Sequence, residues 1–187
     1  SVQSSRAGAG GTQKRVFGVF ADEEKRRRNL YLCAGYLFVL LQQGGVTMPS
    51  RMLHYYVAEQ VLRVLPVVDK NRFKIGSLCP DMTVSDDGSK QMTHFFDVMG
   101  NKKGVNWKRF EQEYGGKITE DTLYAGILCH LITDAIWFSE MSEPLIRSVS
   151  ATKEERNAGY QKGYADYHKL NDILRREHGL TYELKED

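Results

Sequence analysis

Apolar side chains recur at helical spacing along most of the chain, and no run alternates apolar and polar residues as a strand would. The first helical segment, SRMLHYYVAEQVLRVLP, has Ser50 in the position of an N-cap and Pro66 where a helix must stop. A turn-rich stretch with Gly76, Pro80 and Gly88 follows, and it predicts loops and short helical pieces. The pattern therefore predicts an all-α domain.

Three more helices are predicted in the second half of the chain. VNWKRFEQEYGG indicates a short helix that its two glycines close. KITEDTLYAGILCHLITDAIWFSEM predicts a long helix with Thr119 as its cap, because Glu120 and Asp121 then sit where the helix dipole favours anions. TKEERNAGYQKGYADYHKLNDILRREHG predicts a last long helix, with a break expected near Gly159 and Gly163.

The segment YAGILCHLITDAIWF is apolar around almost its whole circumference, which is typical of a buried helix. It nevertheless carries His130 and Asp134, which lie four residues apart and point the same way. Burying a carboxylate is costly unless it is paired or binds a cation. These two residues alone leave two interpretations open, a hydrogen-bonded core pair and a metal-binding pair.

The same spacing returns at His168 and Asp172. A histidine and a carboxylate four residues apart present nitrogen and oxygen donors from one rigid face, a geometry that suits zinc. Other predicted segments add His54 in the first helix, Asp81 at the end of GSLCPD and His94 in THFF. A carboxylate held on a turn is well placed to bind a cation or to orient water. The whole set indicates a metal site more specifically than any one pair.

Composition limits the partners and the cellular setting. A chain of 187 residues suits one domain plus an extension. The net charge of +2 and the scattered basic residues indicate no nucleic-acid partner. Cys33, Cys79 and Cys129 show no CxxC spacing, which favours a reducing, cytoplasmic setting over a disulfide framework.

Residues 1–47 differ in composition from the rest and are predicted to be an N-terminal extension. Their first 14 residues are rich in Ser, Gly and Ala and indicate disorder. A basic run then precedes the apolar segment Leu30–Leu41, which is short for a membrane span and has no A-x-A site after it. Three interpretations stay open: a signal segment over residues 25–45 that would export the protein, a core or surface helix, and a natural start at Met48. The domain itself is predicted to span residues 48–187.

Four segments, in this order, resemble the zinc-dependent phospholipases C and their bacterial relatives: MPSRMLHYYVAEQVL, GSLCPD, THFF and YAGILCHLITDAIW. The resemblance runs from Met48 to about Leu180. It implies an all-α bundle of the phospholipase C or single-strand nuclease type, with two or three zinc ions held between helices. It also implies the metal ligands His54, Asp81, His94, His130, Asp134, His168 and Asp172.

The resemblance further implies hydrolysis of a phosphoester bond in a small phosphoester or a phospholipid head group. Asp81 would be the catalytic residue that orients or deprotonates a zinc-activated water. Contact with a membrane would follow if the substrate is a phospholipid. The sequence departs from the family at Glu140, where a further histidine is expected six residues after the buried aspartate.

Two other classes of protein also place histidines and aspartates on helices. An HD-type phosphohydrolase needs an adjacent His-Asp dipeptide, which the sequence does not contain. A non-catalytic helical binding module, with a lost or reduced metal site, remains the alternative hypothesis.

Overall fold

The computed structural model describes residues 49–82, 89–100 and 102–181. The predictions for the extension over residues 1–47, for the signal segment and for a start at Met48 lie outside the described residues. Within them the protein is helical, apart from one small hairpin, so the predicted all-α class is confirmed.

The helices run in the order α1 Arg51–Val64, α2 Lys70–Leu78, α3 Ser89–Thr93, α4 Trp107–Glu120, α5 Thr122–Trp137 and α6 Lys153–His178. A 3₁₀ turn, Cys79–Met82, extends α2, and a π-helical segment, Phe138–Arg147, continues α5. Strands β1 (Phe96–Met99) and β2 (Lys102–Val105) pair in antiparallel register, with Phe96 opposite Val105.

The hairpin corrects the prediction that the domain contains no strand. Each strand is only four residues long, which is too short for an alternating pattern to stand out in the sequence. Gly100, with a φ of +63°, adopts the left-handed conformation at the end of β1. The hairpin therefore forms through its turn and its packing rather than through a recognisable strand pattern.

The helix ends agree with the sequence at α1 and differ at α4 and α5. Ser50 accepts a hydrogen bond from the backbone N–H of Leu53 at 3.2 Å, and α1 ends before Pro66 as predicted. The predicted cap Thr119 is wrong, because Asp121 accepts from the backbone N–H of Leu123 at 2.9 Å and begins α5. The glycines predicted to close α4 lie inside it, past a kink at Tyr114.

Helix α6 is continuous over Lys153–His178, so the break expected near its glycines is absent. Thr152 and Glu155 form a capping box at its start, and Gly179 ends it with a φ of +59°. A Cβ at Gly159 would lie 2.9 Å from a methyl carbon of Ile146. This glycine therefore serves the close packing of α6 on the π-helical segment.

Helix α5 occupies the centre of the domain and packs most extensively against α2. The two helices touch through glycines: a Cβ on Gly76 would lie 2.1 Å from the carbonyl oxygen of Leu123, and one on Gly126 would lie 2.1 Å from that of Phe73. Gly76, which belongs to the stretch predicted to be turn-rich, lies within α2 and permits this backbone contact. The close approach brings the end of α2 over the middle of α5.

The continuous helix Thr122–Arg147 is long and apolar enough, by length and composition alone, to cross a membrane. In the fold it is the core helix, because Leu128 and Leu131 are at most 1% exposed. The apolar side chains at its centre are thus buried by packing within the protein.

Candidate metal centre

Five of the seven predicted ligands meet between helices. His54 comes from α1, Asp81 from the 3₁₀ turn, His94 from the residue after α3, and His130 with Asp134 from α5. Each of the three histidines and Asp134 is at most 2% exposed. Donor atoms within 4.8 Å of one another define two overlapping groups, His54–Asp81–His130 and His94–His130–Asp134.

Asp134 lies among all three imidazoles. Its Oδ1 is 3.3 Å from Nε2 of His54, while its Oδ2 is 3.3 Å from Nε2 of His130 and 3.8 Å from Nε2 of His94. The two oxygens of one buried carboxylate therefore face histidines from different elements.

The two carboxylate oxygens of Asp81 also face different histidines. Its Oδ2 is 3.8 Å from Nε2 of His54, and its Oδ1 is 3.2 Å from Nε2 of His94. The guanidinium of Arg51 donates to the backbone carbonyl of Asp81 at 2.8 Å and so ties the 3₁₀ turn to α1. The Asp81 side chain is 10% exposed, whereas that of Asp134 is fully buried, so Asp81 lies on the solvent side of the centre.

Backbone carbonyls fix two of the imidazoles. Nδ1 of His130 donates to the carbonyl of Ser77 at 2.8 Å, and Nδ1 of His94 donates to that of Lys90 at 3.0 Å. A carbonyl can only accept, so Nδ1 of each ring carries a proton, and Nε2 is left to face a carboxylate, that of Asp134 for His130 and that of Asp81 for His94. This Nδ1–H···O=C contact is the usual arrangement of a metal-binding histidine.

The unpaired atoms of the centre fit a cation. Among the described residues, Nε2 of His130 and both carboxylate oxygens of Asp134 are buried without a hydrogen-bond partner, since their separations of 3.3 Å lack hydrogen-bond geometry. A lone pair facing a carboxylate is repulsive unless a proton or a metal ion lies between them. Two ligands about 2.0–2.1 Å from a tetrahedral zinc ion are about 3.3 Å apart, which matches these separations.

The pKa shifts of the two carboxylates favour their ionised forms. Burial alone would raise the pKa of Asp134, but the neighbouring His54 and His130 outweigh it and hold that pKa well below its usual range. Burial would also raise the pKa of Asp81, yet its hydrogen bond with His94 and the charges of the other two histidines lower it. Both aspartates are thus ionised at neutral pH, as metal binding requires.

Two of the histidines shift in opposite directions. Burial lowers the pKa of His54, and His130, whose ring stacks on it at a centroid distance of 3.6 Å, lowers it further. Burial also opposes the charged form of His130, but the adjacent Asp134 outweighs this effect and raises its pKa. Two stacked imidazolium rings would repel each other, so His54 is the ring that stays neutral.

The structure does not bring His168 and Asp172 to the other five residues. Both are exposed on α6, and Asp172 pairs with Arg175 at 3.2 Å. Their assignment as metal ligands stays a prediction that this placement does not support. Glu140 is also exposed, on the π-helical segment, where it accepts a hydrogen bond from Ser139 at 3.2 Å.

Sequence reasoning did not find the groups that position the ligands. Arg51 precedes His54 by three residues and Lys90 precedes His94 by four, so helical spacing could have drawn attention to both. The contribution of Ser77 comes from its carbonyl, and nothing in the sequence showed where that carbonyl points.

Comparison with known proteins agrees with this geometry. A model of the family "Zinc dependent phospholipase C" matches residues 53–170, well over half of the chain, and the match includes all five clustered residues. Neither the search of curated proteins nor the search of solved structures gave a match. The family match and the buried histidine–aspartate centre together show that the chain belongs to the zinc-dependent phospholipase C family.

Proposed function

We propose that this protein hydrolyses phosphoester bonds with zinc bound at the five-residue centre. One observation carries the proposal: the Ser77 carbonyl fixes His130 with Nε2 towards the ionised carboxylate of Asp134, and among the described residues neither this Nε2 nor either Asp134 oxygen has a hydrogen-bond partner. A hydrogen-bonded core network would place a proton on one side of each contact. A pair of acceptors facing each other is the arrangement that a metal ion satisfies.

The division of the carboxylate oxygens supports two adjoining metal subsites. His54 would share one subsite with Asp81 Oδ2 and Asp134 Oδ1, while His94 and His130 would share the other with Asp81 Oδ1 and Asp134 Oδ2. His130 has only Nε2 to offer, because its Nδ1 is bonded to Ser77, so it serves one ion. The five residues could thus hold two ions, with both aspartates available to each subsite.

Zinc, when bound, supplies Lewis acidity for the phosphoryl group and lowers the pKa of a coordinated water. Asp81 would orient the attacking water and accept its proton, since of the two carboxylates it is the one nearer to solvent and it remains ionised. Asp134 is completely buried, so its part is to hold the histidines and to balance the positive charge. The substrate is a small phosphoester or a phospholipid head group.

The test is hydrolysis of phosphodiester, phosphomonoester and phospholipid reporters by the zinc-loaded protein, with and without a chelator. We expect turnover that the chelator abolishes. Asp81→Asn should retain much of the zinc but lose about 100-fold or more in kcat, because the amide keeps an oxygen donor and cannot accept the proton. Asp166→Asn is the matched control, since Asp166 pairs with Lys169 on the surface of α6 at 2.9 Å.

Unchanged turnover in Asp81→Asn would remove Asp81 from the mechanism and leave the metal centre in place. A zinc-loaded wild-type protein inactive on all three reporters would favour the alternative, a binding module that kept the fold. If the purified protein held no zinc after reconstitution, the proposed metal centre itself would be contradicted.

A further inference from the structure

A lysine side chain, that of Lys90, lies on the solvent side of the centre and has no part in the hydrolytic scheme above. The ammonium of Lys90 lies 3.8 Å from Oδ1 of Asp81, and its side chain is 39% exposed. Among the described residues, Lys90 is the single lysine or arginine that forms an ion pair with a side chain of the five-residue cluster.

The backbone holds Lys90 in this place. Its carbonyl accepts the hydrogen bond from Nδ1 of His94 at 3.0 Å, so the residue that orients a ligand also carries the cation. The other partner of the contact is fixed as well, because Arg51 binds the backbone of Asp81. The fixed backbone of Lys90 therefore keeps its ammonium within reach of Asp81, while part of the side chain is in contact with solvent.

The ion pair with Asp81 does not by itself account for the position of Lys90 beside the centre. An ion pair at 3.8 Å with a side chain more than one third exposed contributes little to stability. Asp81 Oδ1 is already 3.2 Å from His94, so this oxygen does not depend on Lys90 for a partner. The ammonium keeps hydrogen-bond donors that no described residue uses.

Resting on the proposed function, we propose that Lys90 binds a non-bridging oxygen of the substrate's phosphoryl group at the mouth of the centre. A compact ammonium with three donors is well suited to a tetrahedral oxyanion whose orientation is set elsewhere. Lys90 would thus act in binding the phosphate and in selecting anionic esters. It takes no proton in the reaction.

The experiment measures binding of inorganic phosphate by calorimetry to the full-length, zinc-loaded protein, after unbound zinc is removed. Lys90→Met should weaken phosphate binding roughly 10-fold, with unchanged zinc content, since a charged hydrogen bond is lost. Lys90→Arg should restore most of the affinity. Lys162→Met is the matched control, because Lys162 is exposed on α6 and has no ion pair with the cluster.

The same variants separate this inference from the hydrolase proposal. In the reporter assay, Lys90→Met should raise KM for an anionic phosphodiester roughly 10-fold and change kcat little. Phosphate binding that depends on Lys90 in a protein without turnover would support the inference and contradict the hydrolase. Normal turnover with unchanged KM and phosphate affinity in Lys90→Met would overturn the inference alone. Tighter zinc binding in Lys90→Met, with phosphate affinity unchanged, would show that the lysine merely balances the charge of Asp81.

Discussion

At Asp134 the two carboxylate oxygens face imidazoles from α1 and α5, and the side chain is completely out of contact with solvent. An ionised group in such a place is stable only if something positive lies close to it. The adjacent His130, whose pKa the aspartate raises, can supply that charge by protonation, and a metal ion bound at this centre would take the place of the proton. Binding of the metal and stability of the fold are therefore coupled at this residue.

We expect Asp134→Asn and His130→Ala to bind less zinc and to lose the rise in melting temperature that zinc gives the wild type. The reason is that coordination free energy is also folding free energy. Elemental analysis and thermal melts with and without a chelator measure both quantities. A variant with full zinc content and a normal melt would show that the pair is a hydrogen-bonded core pair.

The exposed pair His168 and Asp172 allows an independent check of which residues bind zinc. Its double replacement, His168→Ala with Asp172→Asn, should leave the zinc of the buried centre in place, because neither side chain contacts the five clustered residues. The measurement is the number of zinc ions per chain. Loss of one equivalent would show that the pair completes a further metal site.

Among the elements, the crossing of α2 and α5 decides whether the centre can form. The glycines of this crossing, Gly76 and Gly126, let the two backbones touch, and this contact places the carbonyl of Ser77 within 2.8 Å of His130. A methyl group at either glycine would meet backbone atoms, which cannot move aside as a side chain can. The orientation of His130 therefore depends on both residues at the crossing being glycine.

We expect Gly126→Ala to destabilise the protein by about 1–3 kcal/mol or more and to weaken zinc binding, since the helices must separate. The control is Gly115→Ala on α4, where a Cβ would have no atom within 4 Å. That change should be neutral or stabilise by up to about 1 kcal/mol, because alanine favours helix over glycine. Urea unfolding and zinc titration compare the two. Equal stability of both variants would contradict the close contact.

The start of α5 gives a pH-dependent prediction. Hydrogen bonds from Arg72, at 2.6 and 2.7 Å, and from the backbone of Leu123 lower the pKa of Asp121 to about 2. A lowered pKa stabilises the fold above the unfolded-state value of about 3.9, and this contribution is lost as the pH falls towards 2. Asp121→Ala should cost about 1 kcal/mol at neutral pH through loss of the cap.

Urea unfolding of the wild type and of Asp121→Ala across this pH range tests the direction in which stability changes with pH. The difference in unfolding free energy between the two proteins should be constant from about pH 7 to about pH 5 and shrink below about pH 4. Asp69→Ala, which removes the cap of α2 instead, is a useful comparison. A difference that grew on acidification would contradict the assignment.

At the scale of the whole molecule, the family match over residues 53–170 and the buried core seen in the described residues both lie after Met48. We therefore predict that a chain beginning at Met48 folds and binds zinc like the full-length protein. Circular dichroism and zinc content of the shortened protein are the measurements. If the shortened protein were insoluble, the apolar segment Leu30–Leu41 would be part of the core and the proposed domain boundary would be wrong.

The sequence by itself determined the helical class and the buried helix, and it named the five clustered residues as candidates together with two that lie elsewhere. These are local properties: helical periodicity marks the buried face, and an ionisable pair on that face, His130 with Asp134, requires a partner. The order of the motifs then indicated the family, and the family match confirmed it.

Only the tertiary structure decided how these residues meet. His168 with Asp172 has the same spacing as His130 with Asp134, yet one pair faces solvent and the other lies in the core, because burial depends on what packs against a helix. The imidazole of His130 is likewise oriented by the carbonyl of Ser77, which the crossing of α2 and α5 brings to it. Spacing along a chain fixes which side of a helix two groups share, whereas the neighbours of that side are set by contacts between residues far apart in the sequence.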